Sequence, residues 1–279
     1  MTIKVPSRLL SSLAASIAAS VVTFVAYAQD SSAWVQEGAS AVRLMAGSRS
    51  GPVLLGGIAF RLDPGWKTYW RTPGDSGIPA QFDFTASDNV EAVTVLWPAP
   101  VRFPDGAGGH SFGYNQQVVL PLRIVPKNAD KPVTLRAHVN YAICEKLCVP
   151  AEAKLELPFV SVASTEDGAL AAALDSVPKP ANIGDATPLT VVEVHRDGER
   201  RVVVDVSAND MAQVDLFVEG PSSDWALPAP ERVTDAPNGL VRFAFDLDGL
   251  PPGAQPAGAA LKLTLVGGNK SYEFNVNLN

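Results

Sequence analysis

The stretch VTLRAHVNYAICEKLCVPAEAKLELPF occupies residues 133–159 and contains both cysteines of the chain, Cys144 and Cys148. Apolar and polar residues alternate on either side of the cysteines, which predicts two β-strands, each with one face toward a core. Residues 145–147 would then form the tip of a β-hairpin, with the cysteines facing each other across its neck. Pro150 fits this placement, because a proline early in a strand belongs at an edge or at the strand start.

The same alternation recurs in short segments along the chain. It predicts strands at 41–49, 53–62, 81–85, 91–97, 117–125, 189–196, 201–207, 213–219, 241–247, 261–266 and 272–278. The alanine-rich segment 165–175 predicts a short helix, and 177–188 has the prolines and glycine of a linker. We therefore predict a first antiparallel β-sandwich at 29–165, a linker at 166–188 and a smaller sandwich at 189–279.

The N-terminus has the layout of a secretory signal peptide. Lys4 and Arg8 precede the apolar run 9–25, and Ala26-Tyr27-Ala28 follows it. Cleavage is expected after residue 28, which predicts export to a bacterial periplasm, where disulfides persist. An uncleaved anchor helix is the alternative, because the run is nearly long enough to span a bilayer. No later run is comparable, so we expect no stable membrane insertion after cleavage.

Composition excludes some classes of function. The formal net charge of the 279-residue chain is -7 at pH 7, whereas nucleic-acid binding requires a basic face. The sequence places no phosphate loop or dinucleotide fingerprint at a strand–helix junction, so we predict no cofactor.

The cysteine pair admits two interpretations from the residues alone. Closing so short a loop restricts the unfolded chain by only about 2 kcal/mol, which makes it a weak structural staple. A disulfide at a hairpin end is also accessible to an attacking thiolate, as exchange requires. The residues leave a structural bond and a reversible dithiol equally open.

A metal site is a weaker alternative for the same residues. His138 lies on the outward face of the strand that leads to Cys144, and a histidine with two cysteines suits a soft ion such as Cu(I). A tetrahedral zinc site would need a fourth ligand, which the sequence does not place nearby. A solvent-facing strand histidine is the simpler explanation of His138, so we predict no metal site.

Several motifs together point to a known family. They are PGWKTYWRTPGDSG (64–77), Trp97-Pro98, Phe112-Gly-Tyr114, Val119-Leu-Pro-Leu122 and YAICEKLCVP (141–150). The segment from about Trp34 to Val160 resembles the N-terminal periplasmic domain of the thiol:disulfide interchange protein DsbD, in its ScsB-like branch. The second β segment is similar to the additional immunoglobulin-like module of the ScsB type.

The resemblance implies two immunoglobulin-like antiparallel β-sandwich domains with a short helical linker. It implies that Cys144 and Cys148 are the catalytic redox pair, the first more buried and the second exchanging with partners. Those partners would be periplasmic thiol oxidoreductases and a separate membrane electron donor, because the sequence contains no membrane or thioredoxin domain of the family. ScsB-like chains are linked to copper tolerance, and DsbD to cytochrome c biogenesis. The alternative from a different class is a non-catalytic binding module with a structural disulfide, whose partner would be a membrane or copper-handling protein.

The resemblance also indicates residues that control access to the cysteines. Trp66 and Tyr69 match family aromatics near the redox site, although aromatics on a strand are more often packing residues. The cap loop of the family corresponds here to the glycine-rich segment 103–112. Phe103, His110 or Phe112 would take the place of its covering aromatic residue.

Overall fold

The computed structural model describes residues 1–2, 29–49, 51–106, 108–237 and 239–279, so residues 3–28 of the predicted signal peptide lie outside the described residues. The described chain forms β-sheets and one α-helix, α1 (Asp167–Asp175). The all-β prediction is confirmed. In this part of the chain no helix is long and apolar enough to cross a membrane.

The first sandwich packs a five-stranded sheet against a six-stranded sheet. The strand order of the first sheet is β1 (Val35–Glu37), β2 (Ser40–Ala46), β3 (Leu54–Leu62), β9 (Gln117–Pro126) and β6 (Val90–Val95). The strand order of the second sheet is β11 (Cys148–Phe159), β10 (Val133–Cys144), β4 (Lys67–Gly74), β8 (His110–Asn115) and β7 (Val101–Pro104), with β5 (Gln81–Asp83) also paired to β10. Neighbouring strands are antiparallel in both sheets.

The hairpin of β10 and β11 has the predicted register. Twelve pairs run from Val133 opposite Phe159 to Cys144 opposite Cys148. Leu135, Val139 and Tyr141 are buried in the core, and burial of each such side chain contributes about 1.5–3 kcal/mol. Because strand residues alternate between faces, Cys144 lies on the outer face of the sheet.

The second sandwich consists of two four-stranded sheets. One has the order β12 (Lys179–Ala181), β19 (Lys270–Asn277), β18 (Ala260–Gly267) and β15 (Val214–Glu219). The other has the order β13 (Leu189–Asp197), β14 (Arg201–Ala208), β17 (Val241–Asp246) and β16 (Glu231–Val233). A short 3-10 helix, Met211–Gln213, precedes β15. The two sheets enclose an apolar core of their own.

Six strands of the described chain, β1, β4, β7, β8, β12 and β16, were not predicted, and two segments show how the structure differs. Lys179–Ala181 falls inside the predicted linker but pairs in parallel with β19, and its Lys-Pro-Ala sequence has no alternation that would indicate a strand. Segment 103–112, predicted as a loop, begins in β7 and ends in β8, which pair from Val101–Gly113 to Pro104–His110. Its glycines lie in the turn between two strands too short to show a period.

Candidate functional site

The two cysteines form a disulfide at the tip of the β10–β11 hairpin. Their Cα atoms are 4.2 Å apart. Cys144 is only 3% exposed, whereas Cys148 and the tip residues 145–147 are exposed. Leu147 is 79% exposed. One sulfur therefore belongs to a buried residue and the other to a surface residue.

Tyr69 contacts both sulfurs. Its hydroxyl is 2.6 Å from Sγ of Cys144 and 3.0 Å from Sγ of Cys148. The sulfurs of a disulfide carry no proton, so the hydroxyl is the donor. Burial raises the pKa of the Tyr69 phenol above its ordinary value, so the phenol keeps its proton at neutral pH.

The pairing of β4 with β10 brings Tyr69 to the cysteines. Lys67 is directly opposite Cys144 in register, and Thr68 is opposite Ile143. Alternation then places Lys67 and Tyr69 on the outer face with the sulfurs. Tyr69, Ala142 and Cys144 form a small buried cluster of their own.

Gly77 seats the Tyr69 ring. Its φ is +135°, and a Cβ built there would lie 2.3 Å from Cε1 of Tyr69. A side chain at this position would displace the ring, so the backbone of the loop after β4 itself covers the aromatic face. This contact is what glycine permits at a close approach of backbone to side chain.

The Lys67 side chain extends from the strand beside Cys144 to the β7–β8 hairpin. Its ammonium donates a hydrogen bond to Oγ of Ser111 at 3.0 Å and lies 5.4 Å from the centre of the Phe103 ring. Phe103 therefore contacts Lys67, the residue opposite Cys144 in register.

His110 acts through its backbone. Its N–H donates to Oδ2 of Asp75 at 2.7 Å, and its carbonyl accepts from the N–H of Asp75 at 2.8 Å. These bonds join the loop that contains Gly77 to the β7–β8 hairpin. Among the described residues, the His110 ring makes no contact with the sulfurs, so the structure does not support a direct role for it.

Phe112 lies in the core of the first sandwich, and Trp66 lies near the hairpin tip. Phe112 is 2% exposed and belongs to the core of the first sandwich, so the structure does not bring it to the sulfurs. Trp66 is half-buried and packs on the same core. It is adjacent to Gly65, at which an added Cβ would lie 3.5 Å from Oε1 of Glu145, so Trp66 stands beside the hairpin tip.

His138 is remote from the cysteines. It precedes Cys144 by six residues on β10, a separation of about 20 Å along a strand. Its Nε2 lies 2.9 Å from a carboxylate oxygen of Glu152. No group of three or more histidines, cysteines or acidic residues in the described ranges could hold a metal ion.

Sequence reasoning missed three residues of the site, Lys67, Gly77 and Ser111. Alternation from Tyr69 back to Lys67 was a usable signal for the first. The other two depend on the pairing of β4 with β8 and on a loop conformation, which single-chain patterns do not indicate.

The fold and site define a β-sandwich protein with a surface disulfide beside a buried tyrosine. Residues 39–159 match the family described as "Thiol:disulfide interchange protein DsbD, N-terminal". The match covers the first sandwich of the chain.

One solved structure extends the likeness across both sandwiches. The crystal structure of the N-terminal periplasmic domain of ScsB from Proteus mirabilis has a TM-score of 0.73 at 21% identity, covering 90% of this chain and 98% of that one. The two proteins therefore share their fold. The crystal structure of the conserved domain protein from Bacillus anthracis matches with a TM-score of 0.24 at 9% identity, covering 84% of this chain and 75% of that one, which is too distant for any inference. The comparison with curated proteins gives no match.

Proposed function

We propose that Cys144 and Cys148 form a reversible redox pair through which the chain exchanges electrons with periplasmic thiol oxidoreductases. The observation that carries the proposal is the unequal exposure of the bonded residues, because exchange needs one accessible sulfur. Cys148 is at the surface, while Cys144 is 3% exposed beneath Tyr69. The family match of the first sandwich supports the same class of chemistry. Export through the N-terminal signal and a separate membrane electron donor complete the proposal.

Reduction of the pair begins when a partner thiolate attacks Sγ of Cys148. The sulfur–sulfur bond breaks, its electron pair moves to Sγ of Cys144, and a mixed disulfide joins Cys148 to the partner. The Tyr69 hydroxyl, 2.6 Å from Sγ of Cys144, donates a hydrogen bond to the thiolate formed there. Hydrogen bonds to charged groups are stronger than neutral ones, so the contact favours this step.

A second partner thiolate completes the transfer. It attacks the partner's own sulfur in the mixed disulfide and releases Cys148 as a thiolate. The partner loses two electrons as its dithiol becomes a disulfide, and the pair gains them. Protons from solvent convert the two thiolates to thiols. The reverse sequence passes the electrons to an oxidised acceptor.

Single-cysteine variants test the proposal. Cys144→Ser keeps the exposed thiol and should trap a mixed disulfide with an oxidised thioredoxin-fold protein. Cys148→Ser keeps only the buried thiol and is the matched control, with trapping expected to be about tenfold slower because attack depends on access. Non-reducing electrophoresis and mass spectrometry measure both products.

Two results would count against a redox role. One is the absence of trapping by either variant. The other is a midpoint potential of the wild-type pair below about -300 mV, which is characteristic of a structural disulfide. Either would favour the alternative function, a binding module.

A further inference from the structure

Strand β4 leaves its ladder immediately after Tyr69. In its pairing with β8, Tyr69 is opposite Gly113, and the next pair is Gly74 opposite Ser111. Four residues of β4, 70–73, therefore lie opposite a single residue of β8, Phe112. Bulges of this kind re-aim side chains, and their backbone needs other support.

The second sandwich supports this bulge through Glu219 at the end of β15. The carboxylate accepts hydrogen bonds from Arg71 at 2.9 Å (Nε) and 2.6 Å (Nη2), and from Oγ1 of Thr72 at 2.9 Å. Arg71 also donates to Glu273 at 2.6 Å. The Arg71 and Glu219 side chains are only 22% and 15% exposed, so solvent screens the ion pair weakly.

The bulge held by Glu219 lies between Tyr69 and Gly77 in the chain. Tyr69 is the last residue of β4 that pairs with β8 before the bulge, and Gly77, which contacts the Tyr69 ring, comes after the bulge. We propose that Glu219 is a positioning residue of the exchange site, which acts through Arg71 and Thr72 to hold the Tyr69 hydroxyl on the sulfurs. This inference rests on the proposed function, and it means that a residue of the second sandwich positions a residue of the redox site.

The chemical effect falls on the leaving sulfur. A hydrogen bond weakens steeply with distance and angle, so a displacement of about 1 Å removes the contact of the hydroxyl with Cys144. Without that contact the Cys144 thiolate loses its donor. Attack on Cys148 then becomes slower, and the reduced Cys144 thiol gives up its proton at higher pH.

A double-mutant cycle on the full chain tests the inference. Tyr69→Phe removes the hydrogen bond to the developing Cys144 thiolate and should slow reduction of the disulfide by dithiothreitol about tenfold. Glu219→Gln is expected to slow it by a similar factor, because the Tyr69 hydroxyl then moves away from Cys144. In the Tyr69→Phe background, Glu219→Gln should change the rate less than twofold, about the resolution of such cycles. The rate of alkylation of the reduced protein, measured across pH, reports the pH at which the Cys144 thiol loses its proton. This pH should rise by the same amount in both single variants.

Asp215→Asn is the matched control, because Asp215 docks the same face of β15 on Arg102 of β7, a strand that β8 separates from the bulged strand β4. It should keep the rate within about twofold of wild type. If Glu219→Gln folds poorly, Thr72→Val serves as the second variant. It removes the hydrogen bond that Thr72 donates to Glu219 and should reproduce part of the slowing.

Additive effects of Tyr69→Phe and Glu219→Gln would overturn the inference, as would equal slowing by Asp215→Asn. The assay uses a small thiol, so these outcomes are independent of whether a partner protein is found. Failure of mixed-disulfide trapping, by contrast, would refute the proposed function alone.

Discussion

At the scale of single residues, the site depends on one hydroxyl and the glycine behind it. Tyr69 touches both sulfurs, and its ring has room only because residue 77 has no side chain. Strand alternation explains why Tyr69 faces outward, but only the family resemblance singled it out. The tyrosine–sulfur contact itself could not be predicted, because it depends on which strands are neighbours.

Gly77→Ala should displace the Tyr69 ring. The added methyl would lie 2.3 Å from Cε1 at a φ of +135°, so both the contact and the backbone are strained. We expect a loss of about 2–3 kcal/mol in the free energy of unfolding and a slower reaction of the disulfide with dithiothreitol. Urea unfolding and reduction kinetics measure the two effects.

Gly106→Ala is the control for Gly77→Ala. Its φ is +83°, but nothing lies within 4 Å of an added Cβ. The backbone cost should therefore appear at both positions, and the kinetic effect only at residue 77. Equal reduction rates for Gly77→Ala and wild type would contradict the role assigned to the ring.

At the scale of elements, the sequence was informative where strands are long and half-buried. The β10–β11 hairpin was predicted with its register because apolar and polar residues alternate over most of both strands, and the twelve pairs run without a register shift. β1, β7, β8, β12 and β16 were not predicted, since strands of three to six residues give too few alternations. β4 was not predicted either, and the support for its bulge at residues 70–73 comes from a strand that is distant in sequence.

Helix α1 is anchored to the first sandwich by carboxylates whose pKa values are lowered. Hydrogen bonds from the Ser48 side chain and N–H lower the pKa of Asp167. Hydrogen bonds from the Ser161 side chain and the Thr165 N–H lower the pKa of Asp30. A lowered folded-state pKa gives stability that is present above the unfolded pKa and is lost as pH falls through the folded value.

We therefore expect stability to decline as pH falls below about 4, partly through these two groups. Asp167→Asn should flatten this decline, by less than about 1 kcal/mol because the carboxylate is exposed and screened. Urea midpoints between pH 6 and pH 3 provide the measurement. Asp224→Asn, an exposed carboxylate of the second sandwich, is the charge-matched control. An unchanged pH slope in Asp167→Asn would show that the anchor contributes nothing.

At the scale of the whole molecule, β15 is buried on both faces. Leu216 and Val218 point into the core of the second sandwich, while the alternate residues Asp215, Phe217 and Glu219 contact the first. Phe217 is 1% exposed. The strand was predicted from its alternation, but its sequence Val-Asp-Leu-Phe-Val-Glu does not reveal that its outer face meets another sandwich.

Phe217 joins the two cores. Its ring centre is 4.8 Å from that of Phe112 and 5.9 Å from that of Trp70, both edge-on.

We expect wild-type protein to unfold in one transition, with circular dichroism and tryptophan fluorescence coincident. Phe217→Ala should remove about 3–5 kcal/mol and separate the two curves, because the sandwiches then lose their shared apolar contact. Phe217→Leu, which keeps most of the buried surface, should retain a single transition at a cost of about 1.5 kcal/mol or less. Coincident curves in Phe217→Ala would mean that the ion pairs of Arg71 and Arg102 suffice to couple the sandwiches. Two transitions in the wild type would mean that this contact does not couple them.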